Sequence, residues 1–252
     1  MSKVELVKVT SEADVRKYGL GCITNPKHPG FETKIKWLNR EFENGLTMLI
    51  LNVDDKSAGM IEYTPAEHFW RPVKAEKYLM IHCFWIVQSK YHGRGYGSQL
   101  IDECIKNAKQ KRLNGVGVVT SSGPWMADKR VFIKNGFKEV ESKGRFKLLV
   151  KQLKKGTLPT FIDWNENQIS SKEFKMVYTN QCPMFAKCIP DLKEVANDKK
   201  VSFKFSELKL PADAQNAPSG YGVMNILKDG KVVADHYISS KRFENIIKRG
   251  KS

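Results

Sequence analysis

The spacing of apolar and polar positions changes period several times along the chain. Residues 4–9 alternate and read as a strand, and Ser11-Glu12-Ala13-Asp14 then supplies a hydroxyl N-cap followed by acidic residues, the composition of a helix start. After the turn-forming run Asn25-Pro26-Lys27-His28-Pro29-Gly30, the residues Ile35, Leu38 and Phe42 recur at helical spacing, predicting a helix over 31–42. Residues 46–53 and 57–63 are strand-like and flank Asp54-Asp55-Lys56, so they are expected to pair as an antiparallel hairpin. Residues 78–87 are almost continuously apolar, as in a strand buried on both faces at the centre of a sheet.

That strand runs into His92-Gly93-Arg94-Gly95-Tyr96-Gly97. Beyond it Leu100, Ile101, Cys104, Ile105 and Ala108 repeat at three and four, predicting an amphipathic helix over 98–111. A buried strand over 115–120 follows, then a short helix over 128–134 closed by Asn135-Gly136, and two strands within 137–153. The polar stretch Lys154-Lys155-Gly156-Thr157-Leu158-Pro159 reads as a domain boundary, giving an α/β domain over 1–155 and a second domain over 156–252. In the second, a strand (174–178), a helix (183–196), a strand (201–205), a hairpin (221–227 and 231–238, around Lys228-Asp229-Gly230) and a final helix (240–248) are expected, with no internal repeat.

Composition narrows the class. At 252 residues and 41% hydrophobic content the chain can bury two cores. It has no run of about 18 apolar residues, and its first residues lack the apolar stretch of a secretion signal, so a cytoplasmic protein with no membrane partner is expected. Five cysteines without paired spacing argue against both a disulfide framework and a structural metal. The net charge of +16 attracts anions, but its lysines are scattered through nearly every segment and no RNA-binding motif accompanies them, which weighs against nucleic acid as the partner.

Three glycines at alternate positions between a strand and a helix let backbone N–H groups converge on an anion, so the expected ligand of the turn is a phosphate. Alone, Gly-x-Gly-x-Gly is weak, since packing also selects it. In its context of strand, turn and helix, His92 to Gly97 resembles the signature of the GNAT superfamily of N-acetyltransferases, with His92 where the family has Gln or Arg. Phe132-Ile133-Lys134-Asn135-Gly136-Phe137 resembles that family's Tyr-x-x-x-Gly-Phe element, with Phe132 in the place of the tyrosine that protonates the departing thiolate. The resemblance covers residues 4 to about 153. It implies a mixed central sheet flanked by helices and direct transfer from acetyl-CoA to a primary amine of a small-molecule or peptide acceptor. It further implies donor contacts from Phe84, Trp85, Ile86 and Val87 and from His92, Gly93, Arg94, Gly95, Tyr96, Gly97, Ser98 and Phe132.

An attacking amine must lose a proton, and the central strand carries no carboxylate. His82 on it and Glu62 on the neighbouring strand are the candidate bases, each weighed against a plain structural role: a hydrogen-bonded core histidine, a carboxylate turned to solvent. Cys83 is read as a buried packing residue rather than an acyl carrier, and the aromatic and charged run 67–72 as a lining of the acceptor site or as packing.

In the second domain the element order resembles a thioredoxin-like fold, with Cys182 at a helix N-terminus, where a thiolate is favoured. Phe185 stands where a resolving thiol would be, Cys188 projects about 120° away around the helix, and Gly222 occupies the position of a cis-proline, with Pro218 nearby. With Tyr178-Thr179-Asn180-Gln181-Cys182-Pro183 and the Lys228-Asp229-Gly230 hairpin following the acetyltransferase pattern, nearly the whole chain resembles the YoaP-like acetyltransferases. Two other readings remain open at this level: a thiol-based binding or redox module using Cys182, and a basic nucleic-acid-binding protein.

Overall fold

A computed structural model of the chain describes residues 2–23, 25–164 and 173–249. It separates into two compact units. The first comprises residues 1–27, 38–69 and 73–161; the second comprises 28–37, 70–72 and 162–252.

The elements of the first half of the chain are β1 (Val4–Val9), α1 (Glu12–Tyr18), α2 (Phe31–Glu43), β2 (Thr47–Val53), β3 (Lys56–Pro65), β4 (Val73–Lys74), β5 (Tyr78–Ile86), α3 (Tyr96–Gln110), β6 (Gly115–Ser121), α4 (Lys129–Lys134), β7 (Lys138–Lys143), β8 (Phe146–Gln152) and β9 (Thr160–Phe161). Seven strands form one mixed sheet in the order β1-β2-β3-β5-β6-β8-β7. All neighbours pair antiparallel except β5 and β6, which are parallel, as their connection through α3 requires. One face carries the main core: Ile61 and Tyr63 of β3, Leu79 and Ile81 of β5 and Val116 and Val118 of β6 pack with Leu100, Ile101 and Cys104 of α3. The three-and-four spacing of α3 therefore marks the stripe that the sheet covers.

Ser11 caps α1, its Oγ accepting the Asp14 N–H, as the sequence predicts. Helix α3 begins two residues earlier than its apolar pattern suggests, because Gly95 takes a left-handed conformation and becomes the residue at which the helix starts.

The second unit contains β10 (Phe174–Tyr178), α5 (Phe185–Asp198), β11 (Phe203–Glu207), α6 (Pro211–Gln215), β12 (Met224–Lys228), β13 (Lys231–Ala234) and α7 (Ser240–Arg249). Its sheet order is β11-β10-β12-β13, with β10 and β11 parallel and the other neighbours antiparallel. Phe174, Phe203 and Phe243 stack at 4.8–5.9 Å and tie the sheet to α7. Two pieces of chain from the N-terminal half complete this unit. Gly30 lies so close to Pro183 that a Cβ there would come within 2.0 Å of the Pro183 carbonyl oxygen, and the Arg71 guanidinium donates to the Tyr221 carbonyl while lying over the Tyr221 ring. β13 ends at Ala234, four residues short of the predicted strand.

Candidate active site

Strand β5 behaves differently along its two halves. From Leu79 to Ile81 it pairs with both neighbours, and its parallel pairing with β6 runs from Tyr78↔Gly115 to Ile81↔Val118. Beyond Ile81 the β6 pairing stops, although β6 itself continues, paired with β8, to Ser121. The departure coincides with a bulge. Tyr63 opposes Ile81 and Glu62 opposes Cys83, so His82 is the extra residue that bends β5 away from its parallel neighbour. The sequence pattern of a strand buried on both faces holds only for the first half: Tyr78 to His82 are buried, while Cys83, Phe84 and Ile86 are half-buried and Trp85 is exposed.

The parting of the strands releases backbone groups. The Val87 N–H donates to the Ala58 carbonyl at 2.9 Å, on the β3 side. Strand alternation then turns the amides of Phe84 and Ile86 to the side β6 has left. The His92 ring reaches the same side, its Nε2 lying 3.3 Å from the Ile86 carbonyl oxygen, and so ties the end of β5 to the turn that follows.

In that turn Gly93 and Gly95 have φ of +73° and +83°, conformations that side chains adopt only with strain, and a Cβ on either would meet nothing within 4 Å. Here glycine is required by the backbone, and the space above it is open. The first amide to close a turn of α3 is that of Gln99, onto Gly95, so the amides before it lead the positive end of a 15-residue helix. Gly97 has a different reason from the one its alternate spacing suggests. It lies inside α3, where a Cβ would come within 2.9 Å of the Phe84 ring, so it serves close packing of helix on strand.

Phe84 stacks edge-on with Phe132 at 5.4 Å, and Phe132 with Phe137 at 5.5 Å. Phe132 is fully buried in this stack and carries no hydroxyl. Asp128 holds the N-terminus of its helix, accepting the Arg130 N–H at 2.8 Å; bonds from Arg130 keep the Asp128 carboxyl below its usual range. Of the remaining predicted donor contacts, Arg94 and His92 are exposed in the turn, Tyr96 is buried against Tyr91 at 6.1 Å, and Ser98 lies half-buried in the first turn of α3.

Both candidate bases are buried. Glu62 is 1% exposed and lies on the sheet face opposite α3, since Ile61 and Tyr63 on either side of it face α3. It is therefore not turned to solvent. His82 is 5% exposed, at the bulge, with its ring 4.9 Å from that of Phe69. The register brings the two together along the chain, since Glu62 opposes the residue next to His82. Cys83 and Trp85 share the face of Glu62, opposite Glu62 and Met60 respectively. The bulge is what sequence reading missed; a lone histidine in an otherwise apolar run was its trace.

The second unit presents Cys182 three residues before α5, with its carbonyl accepting the Phe185 N–H at 3.2 Å. Cys188 is buried, donates to the Ile238 carbonyl at 3.6 Å, and has its thiol pushed up to about 11 by burial. No peptide bond among the described residues is cis, and Gly222 has φ +74°.

A parallel strand pair thus opens ahead of a glycine turn and a helix N-terminus, with Glu62 and His82 buried beside the opening. Residues 16–137 match the acetyltransferase (GNAT) family, and the chain is an acyltransferase of the N-acetyltransferase type. Its co-substrate is acetyl-CoA. The chain is 28% identical over 219 residues to the uncharacterized N-acetyltransferase YoaP of Bacillus subtilis (strain 168), an alignment covering 85% of this chain and 86% of that protein. Among solved structures it is similar to the PaiA N-acetyltransferase of Thermoplasma acidophilum in complex with coenzyme A (16% identity, 60% of this chain and 99% of that one, TM-score 0.43). It is also similar to a ribosomal-protein-alanine N-acetyltransferase of Brucella melitensis (19% identity, 59% and 99%, TM-score 0.43). No helix among the described residues is long and apolar enough to cross a membrane.

Proposed function

We propose that residues 1–155 transfer an acetyl group from acetyl-CoA directly to a primary amine of a small-molecule or peptide acceptor, in a ternary complex. The observation that carries this reading is the parting of β5 from β6 directly ahead of the open turn at Gly93 and Gly95. The turn amides and the N-terminus of α3, with Arg94 and His92 beside them, fit a pyrophosphate. The released amides of Phe84 and Ile86 fit the polar groups of an extended pantetheine and the carbonyl oxygen on which charge develops.

The amine adds its nitrogen to the thioester carbonyl and gives up a proton, and the carbon–sulfur bond then breaks. His82 and Glu62 are the candidates to accept that proton, directly or through a water. With Phe132 in place of a tyrosine, the thiolate departs without a phenolic donor, as a thiol of pKa about 8.5 allows.

Residues 156–252 are read as a thioredoxin-like domain of the YoaP-like type, on the strength of the sheet order β11-β10-β12-β13 with its single parallel pair and of α5 and α7 following β10 and β13. Phe185, where a resolving cysteine would stand, is buried, which favours a binding role for this domain over dithiol exchange.

Calorimetry with acetyl-CoA tests the donor assignment: saturable binding is expected, and its absence would overturn the proposal. Mass spectrometry of amines incubated with protein and acetyl-CoA, expected to show a gain of one acetyl group, tests the transfer.

A further inference from the structure

Strand β6 outlasts its pairing with β5. The last parallel pair is Ile81↔Val118, while the pairing of β6 with β8 runs on through Val119↔Leu148, Thr120↔Lys147 and Ser121↔Phe146. Val118 and Leu149, paired across these two strands, belong to the core beneath α3. Strand alternation therefore sets Thr120 on that same face, within the stretch of β6 that β5 has left. Phe132 and Phe137 belong to the same core, and Phe84 packs against it.

Thr120 is 1% exposed, and its Oγ1 is buried with no hydrogen-bond partner among the described residues. A hydroxyl taken out of water without a partner is destabilising, so its place there needs another reason. Its neighbours are otherwise engaged. Lys147, the cross-strand partner, is drawn to β7, where its Nζ lies 2.5 Å from Ser142 Oγ and 3.3 Å from Glu139. Ser121, the next residue, turns to the opposite face, and its Oγ accepts from the Gly123 N–H at 3.0 Å and from Arg145 at 2.6 Å.

Resting on the acetyl transfer proposed above, we infer that the Thr120 hydroxyl contacts the donor, hydrogen-bonding the thioester sulfur of acetyl-CoA and stabilising the thiolate as it departs. A chain laid along the free edge of β6 at strand spacing runs about 4.8 Å from its backbone, within reach of an atom carried on Cβ. The amides of such a chain can pair with backbone groups, whereas its sulfur cannot and gains a full charge when the carbon–sulfur bond breaks. The electron pair of that bond goes to sulfur and the amine proton goes to the base. Thr120 keeps its own proton and donates only the hydrogen bond. The core it adjoins is apolar, where such a bond is stronger than in water. The hydroxyl thus supplies what Phe132 lacks.

CoA and desulfo-CoA, which differ only in the thiol, test this by calorimetry between pH 7 and 9.5 with no acceptor present. Titration of Lys147, Glu139 or any other protein group cancels in the ratio of the two affinities. For a thiol of ordinary value about 8.5, a hydroxyl that holds the thiolate about tenfold tighter than the thiol should raise the native preference for CoA roughly fivefold or more across this range. Thr120→Val keeps the shape, removes the hydroxyl and should abolish the rise, while Thr120→Ser should retain it. Affinity for acetyl-CoA should change less than about twofold in Thr120→Val, because a thioester sulfur is a weak acceptor. The same variant should melt at or above the native temperature, since no protein partner is lost. Should Thr120→Val fail to fold, Thr120→Ala carries the same binding expectations. A preference for CoA that stays flat with pH in the native protein, or that rises equally without the hydroxyl, would overturn the inference. If acetyl-CoA fails to bind the native protein, it is the donor assignment that falls.

Discussion

Replacing Gly95 by alanine separates the backbone role of the turn from its binding role. The residue sits at φ +83°, and its Cβ would meet no protein atom within 4 Å. Within the chain, therefore, the methyl group costs only conformational strain, about 1–2 kcal/mol for a left-handed alanine. For a domain of this size each kcal/mol corresponds to a fall in Tm of about 2–4 °C. Gly144, in the hairpin between β7 and β8, has φ +57° and equally open surroundings, so Gly144→Ala incurs a similar strain at a place with no proposed ligand. Thermal melts of the two variants should therefore fall by similar amounts. Acetyl-CoA separates them, because a methyl over the Gly95 amide occupies the space an anion needs. One lost charge-assisted hydrogen bond, worth about 1.5–3 kcal/mol, weakens binding by about 10- to 150-fold. Calorimetry on both variants gives the comparison. Equal acetyl-CoA affinity for Gly95→Ala and Gly144→Ala would refute the placement of the pyrophosphate at this turn.

Three further outcomes are expected. Glu62→Gln and His82→Gln should distinguish the candidate bases: removal of the true base lowers kcat about 100-fold or more and abolishes the acidic limb of the kcat pH profile, whereas a variant within about threefold of native excludes its residue. Gly30→Ala should destabilise the second unit by about 2–4 kcal/mol in urea unfolding, since its Cβ would come within 2.0 Å of a backbone oxygen that cannot swing aside; a change under about 1 kcal/mol would refute that packing. Burial raises the thiol of Cys188 to about 11 and that of Cys104 well above its usual value. A raised folded-state value favours the protonated thiol, so this stability is intact below about pH 9, the ordinary thiol value, and declines as pH rises toward 11. Alkylation at pH 8 followed by peptide mapping should leave both thiols unmodified in the native protein.

Much of the fold was legible in the chain. The two-residue alternation of β1, the three-and-four stripe of α3 and the hydroxyl cap at Ser11 are local patterns, and each produced the element it predicts; in α3 the side chains that set the period also face the core, whereas in β1 Val7 and Val9 do so and Val4 and Leu6 are exposed. The succession of strand, glycine turn and helix around His92 to Gly97 was legible too, since it shows in the order of apolar runs and glycines. What escaped sequence reading depends on partners distant in the chain. Only pairing against β3 makes His82 a bulge, only the end of the β6 pairing opens the second half of β5, and only the ring of Phe84 explains Gly97. The assignment of residues 28–37 and 70–72 to the second unit is equally invisible in their composition.

The sequence by itself determined most of the elements, their order and the left-handed backbone of the turn at Gly93 and Gly95, because these rest on period and on the freedom of glycine. Tertiary structure alone decided where β5 separates from β6, that Glu62 is buried, and that Trp85 and Trp125 are exposed, because strand register and side-chain exposure are set by neighbours the local pattern does not contain.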